Sequence, residues 1–249
     1  APHTPLQAQE KDIELYCDDF GSLTPKEQKR VTYQAMVSCM DRGIGTIVDA
    51  LKKKGIMDNT FLIFFSDNGP ASVPGSSSGK LRGRKFDEWD GGVRVPAVFY
   101  WKRAESNYKN LSSQVTGFVD IVPTLKELVG DKNRPERAYD GISILPLLIG
   151  STSCIDRNFY LGCGAVVNKD YKLIRKGRKP GLNLPQDFLV DYQTDPYEKK
   201  NASNGNEQIV RSLYQVALKY DTITPCLPEI PYGKGREGFK APVEWKVTR

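Results

Sequence analysis

An aspartate and an asparagine stand side by side at positions 67 and 68, one serine after the apolar run Phe61-Leu62-Ile63-Phe64-Phe65 and before Gly69-Pro70. An apolar run closed by a polar turn is the pattern of a buried strand, and in open α/β sheets the residues just past a strand's carboxyl end face the ligand crevice. A carboxylate beside an amide carbonyl presents hard oxygen donors, which suit calcium or magnesium. Lys80, Arg82, Arg84 and Lys85 follow within one loop and carry the positive charge and the donors that a tetrahedral anion accepts. The chemistry indicated is a metal site beside an anion site. Asp-Asn-Gly by itself is equally a simple turn, so this reading depends on the strand before it and the basic loop after it. His3 is the single histidine, and any imidazole role falls to it.

The order of these segments adds more than any one of them. Ser66-Asp67-Asn68-Gly69, a Gly/Ser-rich loop, Leu81-Arg82-Gly83-Arg84-Lys85, Trp89-Asp90-Gly91-Gly92 and Arg94-Val95-Pro96 follow one another. This series resembles the second half of type I sulfatases, most closely the arylsulfatase B-like (N-acetylgalactosamine-4-sulfatase) branch. Upstream, His3-Thr4-Pro5-Leu6-Gln7 is similar to the family's His-x-Pro-Leu-Gln segment, and residues 33–55 to its helix. Downstream, Asp120-Ile121-Val122-Pro123-Thr124-Leu125, Asp140-Gly141-Ile142-Ser143, Tyr171-Lys172-Leu173-Ile174 and the segment from Phe188 through Asp195-Pro196 match in order. The likeness covers most of the chain, and an ordered series is far more specific than a single motif.

The resemblance implies the carboxyl-terminal part of an alkaline-phosphatase-like α/β core. It implies that Asp67 and Asn68 ligate a calcium ion shared with an amino-terminal half, and that His3 and Lys85 bind the sulfate and take part in catalysis. His3 would contact the ester oxygen and assist departure of the leaving group. Lys85 matches the family's sulfate-binding lysine better than Lys80 does. Arg82 and Arg84 are expected to support the loop or pair with Asp87 and Glu88, and Trp89 to serve packing rather than sugar stacking.

A complete sulfatase of this type also carries an Asp-Asp metal pair and a Cys-x-Pro-Ser-Arg segment whose cysteine becomes the formylglycine nucleophile. None of the five cysteines, Cys17, Cys39, Cys154, Cys163 and Cys226, begins such a segment. Covalent catalysis needs an activated nucleophile, so the chain is expected to be inactive alone and to pair with an amino-terminal sulfatase half that supplies one. The competing expectation is a catalytically inactive sulfatase-like binding or extracellular matrix protein, which keeps an anion pocket without turnover.

Composition narrows the setting. The 249 residues are 39% hydrophobic, with no apolar run long enough to span a bilayer. The net charge of +6 reads as lysines and arginines scattered over solvated faces, with no nucleic-acid partner implied. The cysteines and the sequons Asn110-Leu111-Ser112 and Asn201-Ala202-Ser203 fit a lysosomal or secreted, disulfide-bearing glycoprotein acting on a sulfated carbohydrate or aryl sulfate. Cys154 with Cys163 is the most plausible local disulfide by spacing.

The elements that must position the site are partly legible. Thr24-Pro25-Lys26-Glu27 starts a helix, apolar residues recur at helical spacing from Tyr33 to Leu51, and Gly55 closes it. Residues 60–65 and 93–101 read as buried strands and residues 118–129 as a short helix, so an α/β core is predicted over residues 1–150. Short strands at residues 158–161, 165–167, 171–175 and 188–192, then a helix over residues 209–220, predict a small antiparallel α+β subdomain over residues 151–249. A proline-rich tail from residue 222 is expected to wrap the surface.

Overall fold

A computed structural model describes residues 2–102, 114–133, 135–179, 181–223 and residue 238. Helix α1 (Glu10–Ile13) lies against α2 (Pro25–Lys53), where Arg42 forms a two-pronged pair with the buried Asp12. The start of α2 follows from its sequence. Thr24 Oγ1 accepts from the Glu27 N–H at 3.4 Å, and Glu27 Oε2 accepts from the Thr24 N–H at 2.9 Å, so two otherwise orphaned donors are satisfied reciprocally. Those contacts with Thr24 also hold the Glu27 carboxyl below the ordinary carboxylate range. Lys52 and Lys53 complement the other end, and Gly55 turns the chain away at φ 68°.

Strand β1 (Phe61–Phe65) pairs antiparallel with β2 (Ala97–Trp101), Phe61 opposite Trp101 and Phe65 opposite Ala97. Two expectations are corrected here. The strand predicted from residue 93 begins at Ala97, because Gly91 and Gly92 belong to a one-turn helix α3 (Asp90–Val93) and Pro96 has no N–H to give a ladder. Nor is β1 fully buried: Phe64 and Phe65 are exposed, since among the described residues β2 is its single strand neighbour. The 3-10 turn Phe118–Asp120 leads into α4 (Ile121–Leu128), within the predicted helical span. Asp120, fully buried, accepts from the Gly117 and Ile142 N–H groups and from Arg157 at 2.7 Å. Helix α5 (Leu145–Leu148) packs Leu147 and Leu148 with Ile144 against Phe61 and Phe99.

The second sheet runs β3-β4-β5-β6, all antiparallel: β3 (Phe159–Gly162), β4 (Ala165–Val167), β5 (Tyr171–Ile174) and β6 (Phe188–Asp191). Its residues alternate between two covered faces. Val166, Leu173 and Leu189 pack against Leu213 and Ala217 of α6 (Glu207–Leu218), whereas Ala165, Ile174 and Val190 pack against Trp89. By register Lys172 shares this second face, opposite Val167 and Val190.

Cys154 and Cys163 are separate thiols rather than the expected disulfide. Cys163 is fixed in the turn between β3 and β4 at φ 44°, where burial first and the Glu88 carboxylate second push its thiol pKa up. Asn201 is engaged structurally: its amide donates to Asp187 O at 2.9 Å and accepts from the Leu189 and Ser203 N–H groups. Asn110, Cys226 and the tail beyond residue 223, apart from residue 238, lie outside the described residues.

Candidate functional site

Main-chain contacts build the turn after β1. Ser66 N–H donates to Pro96 O at 3.1 Å, Gly69 N–H to Gly92 O at 2.8 Å, and Lys85 N–H to Pro70 O at 3.0 Å. A Cβ at Gly69 would stand 1.9 Å from Gly91 O, and one at Gly91 would stand 2.2 Å from Gly83 O. Backbone therefore meets backbone where only glycine fits. The structure thus brings the Asp67-Asn68 turn, the Lys85 loop and α3 together.

Asp67 is exposed and opens onto a cleft of about 880 Å³, whose lining also includes Phe65, Ser66, Arg94, Lys172 and Tyr192. Asn68 is half-buried, and its amide N–H donates to Gly69 O at 2.9 Å, which leaves Oδ1 as its acceptor. Lys85 is half-buried with its ammonium 5.5 Å from the Phe86 ring centre. His3 is exposed, and the hydrogen-bond partners of its ring among the described residues belong to Thr4 alone. Neither His3, Asn68 nor Lys85 lines the cleft. Among the described residues no three His, Cys, Asp or Glu side chains converge on a metal position. Asp67 and Asn68 suit a hard cation in kind but fall short of the roughly six to eight oxygens that calcium takes.

Of the two roles expected of the loop arginines, Arg82 takes the supporting one. Arg82 stacks 3.6 Å over Trp89 and donates to Glu198 O at 2.6 Å, while Glu88 pairs with Lys179 at 2.7 Å. Arg84 uses its backbone N–H on Asp87 at 2.9 Å. Trp89 is buried and meets Phe188 edge-on, the packing role expected of it.

Sequence reasoning missed a buried polar cluster behind α3. The Lys172 ammonium, 0% exposed, donates to Glu198 Oε1 at 2.6 Å, to Glu88 O at 3.1 Å and to Asp90 Oδ1. Glu198 Oε2 accepts from the Asp90 N–H at 2.7 Å, and the Tyr192 hydroxyl donates to Asp90 Oδ1 at 2.8 Å. Burial foremost, helped by the Asp90 carboxylate, pushes the Glu198 carboxyl up, while Lys172 pulls the other way. Burial, then the Asp90 and Glu198 carboxylates, pushes the Tyr192 hydroxyl pKa far up, so Tyr192 remains a donor. One signal was available: strand alternation puts Lys172 on the same face as Ile174, and a lysine on an apolar face requires an acidic partner.

Known proteins share this arrangement of segments. The Sulfatase family model matches residues 1–131. Steryl-sulfatase of Mus musculus is 33% identical over 135 residues, covering 51% of this chain and 22% of that protein. An arylsulfatase of Hemicentrotus pulcherrimus is 30% identical over 149 residues, covering 59% and 26% respectively. Among solved structures, Ps i-CgsB in complex with k-i-k-neocarrahexaose superimposes with a TM-score of 0.73 at 29% identity, over 88% of this chain and 48% of that one. The chain therefore spans about a quarter of the length of those two relatives and about half of that solved structure.

Proposed function

The chain belongs to the sulfatase family and has the α/β fold of its alkaline-phosphatase-like structural relatives, and from that premise we propose that it is the carboxyl-terminal chain of a two-chain sulfuric ester hydrolase. The observation that carries this reading is the glycine-only contact that fixes the Asp67-Asn68 turn beside the Lys85 loop. In this role Asp67 and Asn68 Oδ1 supply one side of a calcium site. Calcium, when bound, offsets the negative charge of the sulfate. Lys85 holds sulfate oxygens by charge-assisted hydrogen bonds. His3 contacts the ester oxygen, a role that comes from the resemblance. An amino-terminal half with Cys-x-Pro-Ser-Arg provides the formylglycine nucleophile and the remaining ligands.

The substrate class in this reading is a sulfated carbohydrate, supported by the oligosaccharide held by Ps i-CgsB. The finer assignment is a galactosamine 4-sulfate of a glycosaminoglycan, as in the arylsulfatase B branch. A lysosomal or secreted location belongs to the same proposal, and no helix among the described residues is long and apolar enough to cross a membrane. So does a division near residue 150 into core portion and α+β subdomain. The second reading is an inactive binding or extracellular matrix protein that keeps the anion pocket without turnover.

The two are separated by expressing residues 1–249 alone and together with the amino-terminal half of an arylsulfatase B-type enzyme, then following hydrolysis of a chromogenic aryl sulfate. No turnover alone and turnover by the complex are expected. Activity of the pure chain overturns the division of labour, and a stable formylglycine-bearing complex without activity favours the inactive protein.

A further inference from the structure

The hydrogen bonds of Lys172 go to Glu88, Asp90 and Glu198 rather than to Asp67, Asn68 or Lys85, yet these partners lead to them. A buried ammonium is tolerated only when it is matched by charge and hydrogen bonds. Here Glu198 grips the first residue of α3 in two ways. Its Oε2 accepts the Asp90 N–H at 2.7 Å, and its Oε1 holds Lys172, which in turn holds the Asp90 carboxylate. Two residues further on, Gly92 O accepts the Gly69 N–H at 2.8 Å, and Gly91 O occupies the space a Gly69 side chain would need. Strand β5 and Glu198 hold α3, and α3 holds the turn that carries Asp67 and Asn68.

Backbone geometry gives independent support. Glu198 has φ 57°, a left-handed conformation unfavourable to any residue with a Cβ. Such strain persists where surrounding contacts over-determine it. Those contacts are present: Arg82, stacked on Trp89, donates to Glu198 O at 2.6 Å. Arg82 comes from the same loop as Lys85, so the anion loop and the metal turn are referred to one anchor.

We propose that Lys172 and Glu198 are positioning residues, through which the carboxyl-terminal sheet sets the place of the Asp67-Asn68 turn. The ligand served by that turn rests on the sulfatase reading; the positioning does not.

The test compares Lys172→Met and Glu198→Gln with Arg157→Met in the full chain, complexed with the amino-terminal half. Met keeps the length of Lys172 without its charge. The amide introduced by Glu198→Gln leaves one acceptor for two donors, so this variant carries the test should Lys172→Met not fold. Arg157→Met breaks a buried pair of 2.7 Å with Asp120, outside this chain of contacts, and calibrates general destabilisation. Hydrogen exchange is read at the Gly69 and Ser66 amides against those of β5 and β6, at equal distance below each variant's unfolding midpoint. In Lys172→Met the Gly69 protection should fall about tenfold relative to the sheet, in Glu198→Gln about threefold, and in Arg157→Met not at all. Calcium affinity of the complex should weaken in the same order. A loss at Gly69 merely in step with the sheet, or equal in Arg157→Met, overturns the positioning role. Should the wild-type complex not bind calcium, the metal reading falls while the exchange pattern still decides this one.

Discussion

Lys172 Nζ stands 2.6 Å from Glu198 Oε1 with neither side chain exposed to solvent. A second carboxylate, Asp90, shares the same ammonium, so two acidic groups face one buried cation. Arg94 reaches Asp90 from the solvent side at 3.5 Å, and the Tyr192 hydroxyl completes the cluster. Low-dielectric surroundings make such a cluster costly when any member is lost. Truncating one partner of a buried pair typically costs about 3–5 kcal/mol, because the other charge is left uncompensated.

The pH dependence of stability follows from Glu198. Burial raises its pKa above the ordinary glutamate value of 4.5. Between those two values the folded chain binds a proton that the unfolded chain has released. This contribution to stability is therefore full below pH 4.5 and is lost as pH rises through the folded value. Urea unfolding of the complex from pH 4 upward should show a slope that Glu198→Gln removes, at most about 1.4 kcal/mol per pH unit. An identical pH profile in the two proteins would mean that Glu198 does not titrate in this range.

Glycine separates contact from conformation in this molecule. Gly69→Ala places a Cβ 1.9 Å from Gly91 O, and no side chain can move aside, since both partners are backbone. The expected cost is about 3 kcal/mol or more. Gly43, inside α2, has nothing within 4 Å of an added Cβ. Gly43→Ala should therefore stabilise by roughly 0.5–1 kcal/mol. Denaturant midpoints of the two variants check both signs, and a benign Gly69→Ala would mean that the turn is not clamped.

What the sequence showed and what it hid divide along the range of the interactions. The Thr24-Glu27 capping box and the alternation of Val166, Leu173 and Leu189 are set within a few residues, and both elements stand where they were expected. Residues 93–101 read as one strand because the glycines before it break any helical pattern. Asp90–Val93 is instead a helical turn, held by Glu198 from more than a hundred residues away. Lys172 reads as one residue of a predicted short strand until Glu198 and Asp90 are seen around it. The Cys154–Cys163 pairing was inferred from spacing alone, whereas both are free thiols, Cys163 in a tight turn at φ 44°. For the candidate site, the Asp67-Asn68 turn and the Lys85 loop were legible as motifs, whereas their junction through Gly69 and Gly91 was not.

Calcium should bind this chain weakly by itself. Asp67 and Asn68 Oδ1 supply far fewer than the roughly six to eight oxygens of a calcium site, which places the lone chain at roughly millimolar affinity or weaker. The complex with an amino-terminal half should bind much more tightly, and Asp67→Ala should abolish the difference. Titration calorimetry on both forms measures this. Tight binding by the lone chain, retained in Asp67→Ala, would place the metal on other residues.

Without an amino-terminal half, the chain should be a poor folding unit. Phe64 and Phe65 of β1 are 37% and 42% exposed, and Val98 of β2 is 57% exposed. Among the described residues β1 and β2 form a sheet of two strands, so apolar side chains and an open edge are presented together. An isolated two-stranded ribbon is marginal, and an exposed apolar edge invites pairing with other chains. Complete burial of such a side chain is worth about 1.5–3 kcal/mol, of which each of these has roughly half left to gain, and several together favour assembly. Size-exclusion chromatography should show the lone chain as aggregates or mixed oligomers, and coexpression with the amino-terminal half should give a single soluble species with one cooperative urea transition. Phe64→Ser with Val98→Thr, which stand opposite each other on one face of the ribbon, should reduce self-association of the lone chain and weaken its assembly with an amino-terminal half together, since both use that face. A wild-type chain that elutes as a monomer and unfolds cooperatively without any partner would overturn the two-chain reading and favour the self-contained, inactive binding protein.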